Sequence, residues 1–118
     1  MNRRVGEAGE QAAAAFLTSL GYRIVARNVR FRSGEIDLIA RDGSVLVFVE
    51  VKTRRGRRFG TPGEAVTPQK QRKLIRLASL YLARLGGEPP PCRFDVVEVE
   101  PGPDGRYRCE VIRGAFMA

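Results

Sequence analysis

Residues 45–52 read Val-Leu-Val-Phe-Val-Glu-Val-Lys, and this segment limits the fold more than any other part of the chain. Its first five residues are apolar without interruption, which is typical of a central strand covered on both faces. The chain has 118 residues, 43% of them apolar, so it is long enough to build a core around such a strand. We therefore expect a single domain, residues 1–118, in which helices pack on a sheet.

The spacing of apolar residues along the rest of the chain predicts two helices and four further strands. The predicted helices span residues 6–20 and 67–85. The predicted strands span residues 22–31, 35–41, 45–52, 93–100 and 106–113. The order α-β-β-β-α-β-β indicates an α/β fold, more fully an α+β fold with one mixed sheet, in which the second helix crosses over to return the chain to that sheet.

Four charged residues fall near the ends of the second and third predicted strands: Glu35, Asp37, Glu50 and Lys52. Side chains alternate along a strand, so Glu35 and Asp37 share one face with Ile39, while Ile36 lies on the other. A two-residue turn at Asp42-Gly43 would pair Asp37 with Phe48 and Glu35 with Glu50. The four charged side chains then emerge on one face, with Asp37 diagonal to Glu50 and close enough to share an ion.

This group of charges holds three acids and one lysine, which leaves a surplus of negative charge. Buried charges need partners, and a divalent cation would supply one. A few hard oxygen ligands with room for water suit Mg²⁺ or Mn²⁺. The alternative is a set of salt bridges around Lys52 and nearby arginines.

The chain as a whole is basic, with 21 Lys and Arg against 13 Asp and Glu and a formal net charge of +8. Four arginines lie between residues 54 and 58, and the second predicted helix opens with Lys70, Arg72 and Lys73. The arginine guanidinium can donate two parallel hydrogen bonds to a phosphate, so these basic residues favour a nucleic-acid partner. The alternatives are a solvated charged loop and charge that only keeps the protein soluble.

The chain contains no histidine, which excludes Ser-His-Asp triads, Cys-His pairs and zinc sites built on imidazole. It also shows no signal peptide and no apolar run of about 18 residues, so we expect a cytoplasmic protein that does not enter the membrane. In that compartment Cys92 and Cys109 are expected to be free thiols that act as small apolar fillers.

Several motifs together resemble a known family. The spacing Asp37…Glu50-Val51-Lys52 resembles the Asp…Glu-X-Lys signature of the PD-(D/E)XK nuclease superfamily. Within that superfamily, the chain looks like the YraN-type family of small bacterial proteins, which is described as similar to archaeal Holliday-junction resolvases. The motifs that carry this second resemblance are Gly6-Glu7…Glu10, residues 34–39, residues 48–52 and Arg58-Phe59-Gly60. One departure is Ile36, which stands where the superfamily name has proline.

The resemblance implies a restriction-endonuclease-like α-β-β-β-α-β core, to which this chain adds a C-terminal strand. It implies that Asp37 and Glu50 bind the metal together with the Val51 carbonyl, and that Lys52 acts on the attacking water and the phosphate. Glu7 or Glu10 would add a ligand or hold a metal-bound water, and Glu7 is slightly favoured because it belongs to the Gly6-Glu7 motif. Either could instead be a helix acid that the helix dipole stabilises.

The remaining implied roles concern support and substrate. Glu35 is expected to contact the metal-binding residues without binding the metal itself. Nucleic-acid contacts are expected for Arg54, Arg55, Arg57, Arg58, Gln69, Lys70 and Lys73. The leading hypothesis is a Mg²⁺- or Mn²⁺-dependent endodeoxyribonuclease, with branched or structured DNA as one substrate and a homodimer as the form suited to a two-fold junction. The alternatives are a non-catalytic nucleic-acid-binding module and a protein that docks on an acidic partner or a membrane surface.

Overall fold

The computed structural model describes residues 3–54 and 66–118, and the side chains from residue 7 onward within the first range. Its helices are α1 (Arg3–Ser19) and α2 (Pro68–Leu85). Its strands are β1 (Arg23–Phe31), β2 (Gly34–Asp42), β3 (Val45–Thr53), β4 (Cys92–Pro101) and β5 (Tyr107–Phe116). The predicted order of elements is therefore confirmed over the described residues, and α1 begins three residues earlier than predicted.

The strands form one mixed sheet in the order β1-β2-β3-β4-β5. Strand β3 lies in the centre and pairs in parallel with β4, while the other neighbours are antiparallel. Helix α2 is the crossover that makes the parallel pair possible, as predicted. This mixed α+β fold confirms the expected class.

Each helix covers one face of the sheet. Ala13 and Leu17 of α1 pack on a cluster that includes Val47, whereas Leu74 and Leu77 of α2 pack on the opposite cluster. Residues 46–49 of β3 are all buried, and they contribute alternately to the two clusters. The uninterrupted apolar run in this strand therefore reflects a central strand covered on both faces, as predicted.

Helix α2 begins and ends where the sequence predicts. Thr67 is the N-cap and its side chain accepts a hydrogen bond from the amide of Lys70, while Pro68 occupies the first turn. Gly86 caps the other end with a φ of 74°, a conformation that glycine adopts without a steric cost. The cap matters for function because the first two turns of α2 carry Lys70 and Lys73.

The predicted register between β2 and β3 is wrong by two residues. Asp42 pairs with Val45 and Ile39 pairs with Phe48, so the turn consists of Gly43-Ser44 rather than Asp42-Gly43. Gly43 has a φ of 63°, and glycine at the first position of a two-residue turn is typical of a type II′ hairpin. A two-residue shift keeps each side chain of a regular strand on its predicted face, so the change of register alone does not separate Asp37 from Glu50.

The predicted alternation along β2 also fails at one point. Ile36 belongs to the same cluster as Ile39, on the α2 side, whereas Leu38 packs on the α1 side. Residues three apart in a regular strand point to opposite faces, so the strand is irregular at Asp37. The thiols of Cys92 and Cys109 are both free, as predicted, but Cys92 is exposed and fills no core position.

Candidate metal and phosphate site

The site lies where the pairing between β2 and β3 stops. The ladder runs from Asp42 and Val45 to Leu38 and Val49, although β2 begins at Gly34 and β3 continues to Thr53. Beyond Leu38, the Oδ2 atom of Asp37 accepts a hydrogen bond of 2.8 Å from the Val51 amide. The carboxylate thus accepts the hydrogen bond that a backbone carbonyl of β2 would accept in a regular ladder. This contact holds the Asp37 side chain between the separating strands β2 and β3.

A pocket of about 170 Å³ opens at this point beneath the first turns of α2. It is lined by Glu35, Asp37, Glu50, Lys70, Lys73, Leu74 and Leu77. Since a water molecule occupies about 30 Å³ in the liquid, the pocket has room for an ion with several waters. The structure therefore brings the predicted acids Asp37, Glu50 and Glu35 together with the predicted cations Lys70 and Lys73.

Helix α1 supplies a further acid to the same place. Carboxylate oxygens of Glu10, Glu35 and Asp37 all lie within 4.8 Å of one another. Gly9 makes this close approach possible, because a Cβ atom on it would lie only 2.9 Å from Oγ1 of Thr53 at the end of β3. The α1 backbone therefore meets the end of β3 directly, and the next residue points into the site.

Glu10 rather than Glu7 is the α1 residue in this cluster, contrary to the slight preference from sequence. Glu7 is exposed and lies about one turn away, and its negative charge contributes to a raised pKa of Glu10, after burial and the charge of Glu35. Because α1 begins at Arg3, neither acid lies in its first turn. Stabilisation by the helix dipole, which is confined to that turn, therefore does not explain Glu10.

The half-buried carboxylates of the site, Asp37 and Glu50, are poorly compensated. Burial, followed by the charge of Glu50, raises the pKa of Asp37 from its ordinary 3.8 to about 7, although the Val51 hydrogen bond opposes the shift. Burial also raises the pKa of Glu50, against the charges of Lys52, Lys70 and Lys73. An added cation would relieve both carboxylates, because a nearby positive charge favours their ionised form.

Lys52 lies beside these acids at the end of β3. The close approach of the Lys70 ammonium, together with burial, lowers the pKa of Lys52, while Glu50 and Asp37 oppose the change. A lysine amine with a lowered pKa gives up a proton more readily and can act in proton transfer. The predicted role of Lys52 is thus compatible with its surroundings.

The arginines expected to bind nucleic acid divide into two groups. Arg54 forms an ion pair of 2.8 Å with Glu98 of β4, which is only 5% exposed, and its backbone amide bonds to Val99. Its observed contacts therefore fix β3 to β4. Arg55, Arg57 and Arg58 lie outside the described residues.

A second groove runs along the outer side of α2. It is lined by Thr67, Gln69, Lys70, Arg72, Lys73 and Arg76. Four of the six lining residues are cations and none is an acid. Lys70 and Lys73 line both this groove and the acidic pocket, so the two are neighbours. Gln69, another predicted contact, is exposed on this side.

One residue of the site was not identified from the sequence. With its amide oriented to satisfy both neighbours, Nδ2 of Asn28 donates to Oε1 of Glu10 at 2.8 Å and to Oε2 of Glu35 at 3.2 Å. Glu35 also forms an ion pair of 2.9 Å with Arg30. An asparagine within an apolar-polar strand pattern gives no signal of such a role, because both partners are distant in sequence.

Comparison with known proteins assigns the chain to a family. The model of the uncharacterised protein family UPF0102 matches residues 9–99. The chain belongs to UPF0102. The UPF0102 protein of Symbiobacterium thermophilum is 84% identical over 118 residues and covers the whole of both chains. The UPF0102 protein of Syntrophus aciditrophicus is 49% identical over 115 residues, which cover 98% of this chain and 90% of that one.

A third UPF0102 relative, from Moorella thermoacetica, is 50% identical over 115 residues, 97% of this chain and 96% of its own. The resemblance to the YraN-type family is thereby confirmed at the level of UPF0102. The match begins at Gly9, so it includes Glu10 and every acid of the pocket. Among the residues described for this UPF0102 chain, neither helix combines the length and apolar character needed to cross a membrane.

Proposed function

We propose that this UPF0102 protein is a PD-(D/E)XK-type endonuclease that hydrolyses phosphodiester bonds in DNA with Mg²⁺ or Mn²⁺. One observation carries the proposal: acids from three different elements meet around half-buried Asp37, directly beneath the lysines that open α2. In this interpretation α1, β1–β3, α2 and β4 form the restriction-endonuclease-like core, and β5 is the added strand.

The donor set fits a hard divalent cation. Asp37, Glu50 and Glu10 offer only carboxylate oxygens, which are the ligands that Mg²⁺ and Mn²⁺ prefer. These three residues would hold the ion, and the Val51 carbonyl remains a predicted fourth donor. Such an ion would polarise a phosphodiester and lower the pKa of a bound water.

The lysines of the site would act on the substrate. Lys70 and Lys73 face the acids across the pocket, where their ammonium groups can hold a phosphate next to the carboxylates. The Nζ atom of Lys52, with its lowered pKa, lies beside Glu50 and Lys70, so it is suited to exchange a proton with the reacting groups. The chain contains no histidine for this task.

A cleavage assay tests this proposal. Purified protein is incubated with Mn²⁺ and plasmid, single-stranded or four-way-junction DNA, beside Asp37→Asn, Lys52→Ala and the exposed control Glu110→Gln. We expect wild type and the control to cut at least one substrate, and both site variants to lose most activity. Equal cleavage by wild type, Asp37→Asn and Lys52→Ala on all three substrates would show that the enzyme proposal is wrong.

The second candidate function is a non-catalytic nucleic-acid-binding module, and the cationic groove on α2 favours it. Arg72 and Arg76 have no acidic partner within the described ranges, so they are available to phosphates. Each lost phosphate contact should reduce the slope of log affinity against log salt by about 0.9 on duplex DNA. We expect Arg72→Gln with Arg76→Gln to flatten this slope, and the exposed control Arg108→Gln to leave it unchanged.

Calorimetry separates the two functions. The enzyme proposal expects Mn²⁺ binding by wild type that Glu50→Ala removes. DNA binding that neither Mn²⁺ nor Glu50→Ala alters, without cleavage, would favour the module. Unchanged salt dependence in the arginine variants would show that α2 does not contact the phosphates.

A further inference from the structure

Asn28 adopts an unusual backbone conformation in the middle of edge strand β1. Its φ is 51°, and it is the one non-glycine residue with a positive φ among the residues that the structure describes. The left-handed region is sterically unfavourable for an L-residue, although asparagine tolerates it better than most. Such conformations persist only where surrounding contacts enforce them, and they are concentrated at functional sites.

This conformation changes the direction of the neighbouring side chains. Ala26 and Val29 both pack against the core on the α2 side. In a regular strand, residues three apart lie on opposite faces, so the alternation reverses between them. The left-handed residue at position 28 lies within this interval. Ala26 and Val29 can therefore both pack in the α2-side core while the side-chain amide of Asn28 contacts Glu10 of α1.

The amide of Asn28 joins two elements of the candidate site. Its nitrogen donates to Glu10 at 2.8 Å and to Glu35 at 3.2 Å, one from α1 and the other from β2. An asparagine amide has two N–H donors, which is the number that these two acceptors require. Two carboxylates at this separation repel each other, and a shared neutral donor reduces that cost without cancelling the charge needed for a cation.

We propose that Asn28 is a positioning residue that fixes the carboxylate of Glu10 beside Asp37. This inference rests on the proposed metal site, because it assigns Asn28 an effect on ion binding through Glu10. The competing explanation is purely structural: Asn28 would only tie α1 to the sheet. The two explanations differ in whether loss of the amide changes ion affinity in a folded protein.

The pair Asn28→Gly and Asn28→Ala separates the amide from the backbone strain. Glycine adopts a positive φ freely, so Asn28→Gly should retain a melting temperature close to that of wild type. Alanine should lower it, since alanine carries the cost of the left-handed conformation. Both should weaken Mn²⁺ binding about 10- to 100-fold in calorimetry, the usual effect of removing a residue that orients a metal ligand.

A double-mutant cycle with Glu10→Gln tests the route of the effect. If Asn28 acts through Glu10, Asn28→Gly should weaken Mn²⁺ binding less than about twofold in the Glu10→Gln background, because coupled residues are not additive. A full further loss in that background would overturn the proposal. So would an Mn²⁺ affinity of Asn28→Gly equal to that of wild type.

The remaining outcomes are also decisive. Failure of both Asn28 variants to fold would establish the structural explanation. If wild type binds no Mn²⁺ by calorimetry, the proposed metal site falls and the Asn28 proposal falls with it. If wild type binds Mn²⁺ and Asn28→Gly binds it equally well, the Asn28 proposal alone is wrong.

Discussion

The substitution Asp37→Asn should stabilise the protein in the absence of divalent metal. Asp37 is half-buried beside Glu50, and this partial burial and the charge of Glu50 disfavour its ionised form in the fold and raise its pKa to about 7. Asparagine has nearly the same shape, and its Oδ1 can accept the same hydrogen bond from Val51. The variant therefore removes the buried charge without removing the contact that fills the opening between β2 and β3.

The magnitude follows from the two pKa values of Asp37. A folded-state pKa of about 7 against an ordinary 3.8 is a difference worth about 4 kcal/mol at pH 8, at about 1.4 kcal/mol per pKa unit. The folded-state value is the higher one, so wild-type stability falls as the pH rises from about 4 to 7. The advantage of Asp37→Asn should be below about 1 kcal/mol at pH 4 and reach its full value near pH 8.

Thermal and urea unfolding of metal-free protein at pH 4 and pH 8 measure this difference. A gain of about 4 kcal/mol corresponds to a rise in melting temperature on the order of 10 °C for a domain of this size. Glu110→Gln on β5 removes the same charge from an exposed position and should show no comparable dependence on pH. If the proposed metal site is correct, Mn²⁺ should then stabilise wild type but not Asp37→Asn, since a ligand stabilises only the folded state that binds it.

Two results would refute this reasoning. An Asp37→Asn variant that is no more stable than wild type at pH 8 would mean that the carboxylate carries no electrostatic penalty. A gain that is equal at pH 4 and pH 8 would mean that the effect does not come from ionisation of Asp37.

Three further predictions concern the structure around the site and at the other end of the sheet. Tyr22→Phe should lower the free energy of unfolding in urea by about 1–3 kcal/mol, since the Tyr22 hydroxyl donates a 2.7 Å hydrogen bond to buried Asp95. Burial and that bond raise the pKa of Tyr22 to about 12, so an absorbance titration should show late tyrosine ionisation that Tyr22→Phe removes. The stability tied to Tyr22 should be complete below pH 10 and lost as the pH rises through about 12. Gly9→Ala should cost about 1–3 kcal/mol in thermal unfolding because its Cβ would crowd Oγ1 of Thr53, and adding Thr53→Ala should restore most of the loss.

The helices and strands were predictable because their signals are local. Thr67 and Pro68 mark the start of α2, and the apolar run in β3 marks a strand covered on both faces. The register of β2 and β3 was harder, because Asp42-Gly43 and Gly43-Ser44 are both acceptable two-residue turns. Since the two choices differ by two residues, the change of register alone does not move Asp37 and Glu50 to different faces.

The identity of the α1 acid was not predictable from local pattern. Glu7 and Glu10 are about one turn apart on nearly the same side of the helix, so spacing cannot separate them. The choice depends on how α1 docks, which is set by the contact of Gly9 with Thr53, 44 positions later in the chain. The role of Asn28 is hidden for the same reason, because its partners Glu10 and Glu35 come together only in the folded sheet.

Two aspartates on the same sheet, Asp95 buried and Asp37 half-buried, show why the charge at Asp37 points to a ligand. Asp95 is fully buried, and it accepts hydrogen bonds from Tyr22, from the Arg93 guanidinium and from the Gly114 amide. In a buried carboxylate with a cationic partner and a full set of donors, these contacts offset the cost of removing the group from water. Asp37, by contrast, accepts one hydrogen bond, from Val51, and faces the like charge of Glu50.

The charge and hydrogen-bonding capacity of buried Asp95 are thus compensated by Tyr22, Arg93 and the Gly114 amide. At Asp37 the neighbouring charges that raise its pKa are those of Glu50, Glu10 and Glu35. Lysines of the pocket oppose the rise in the pKa of Glu50, but the pKa of Asp37 is still raised. A residue perturbed by burial and by specific neighbours inside a pocket is a candidate for function rather than for packing. The unequal treatment of Asp95 and Asp37 is therefore a physical reason, independent of family resemblance, to place the cation between β2 and β3.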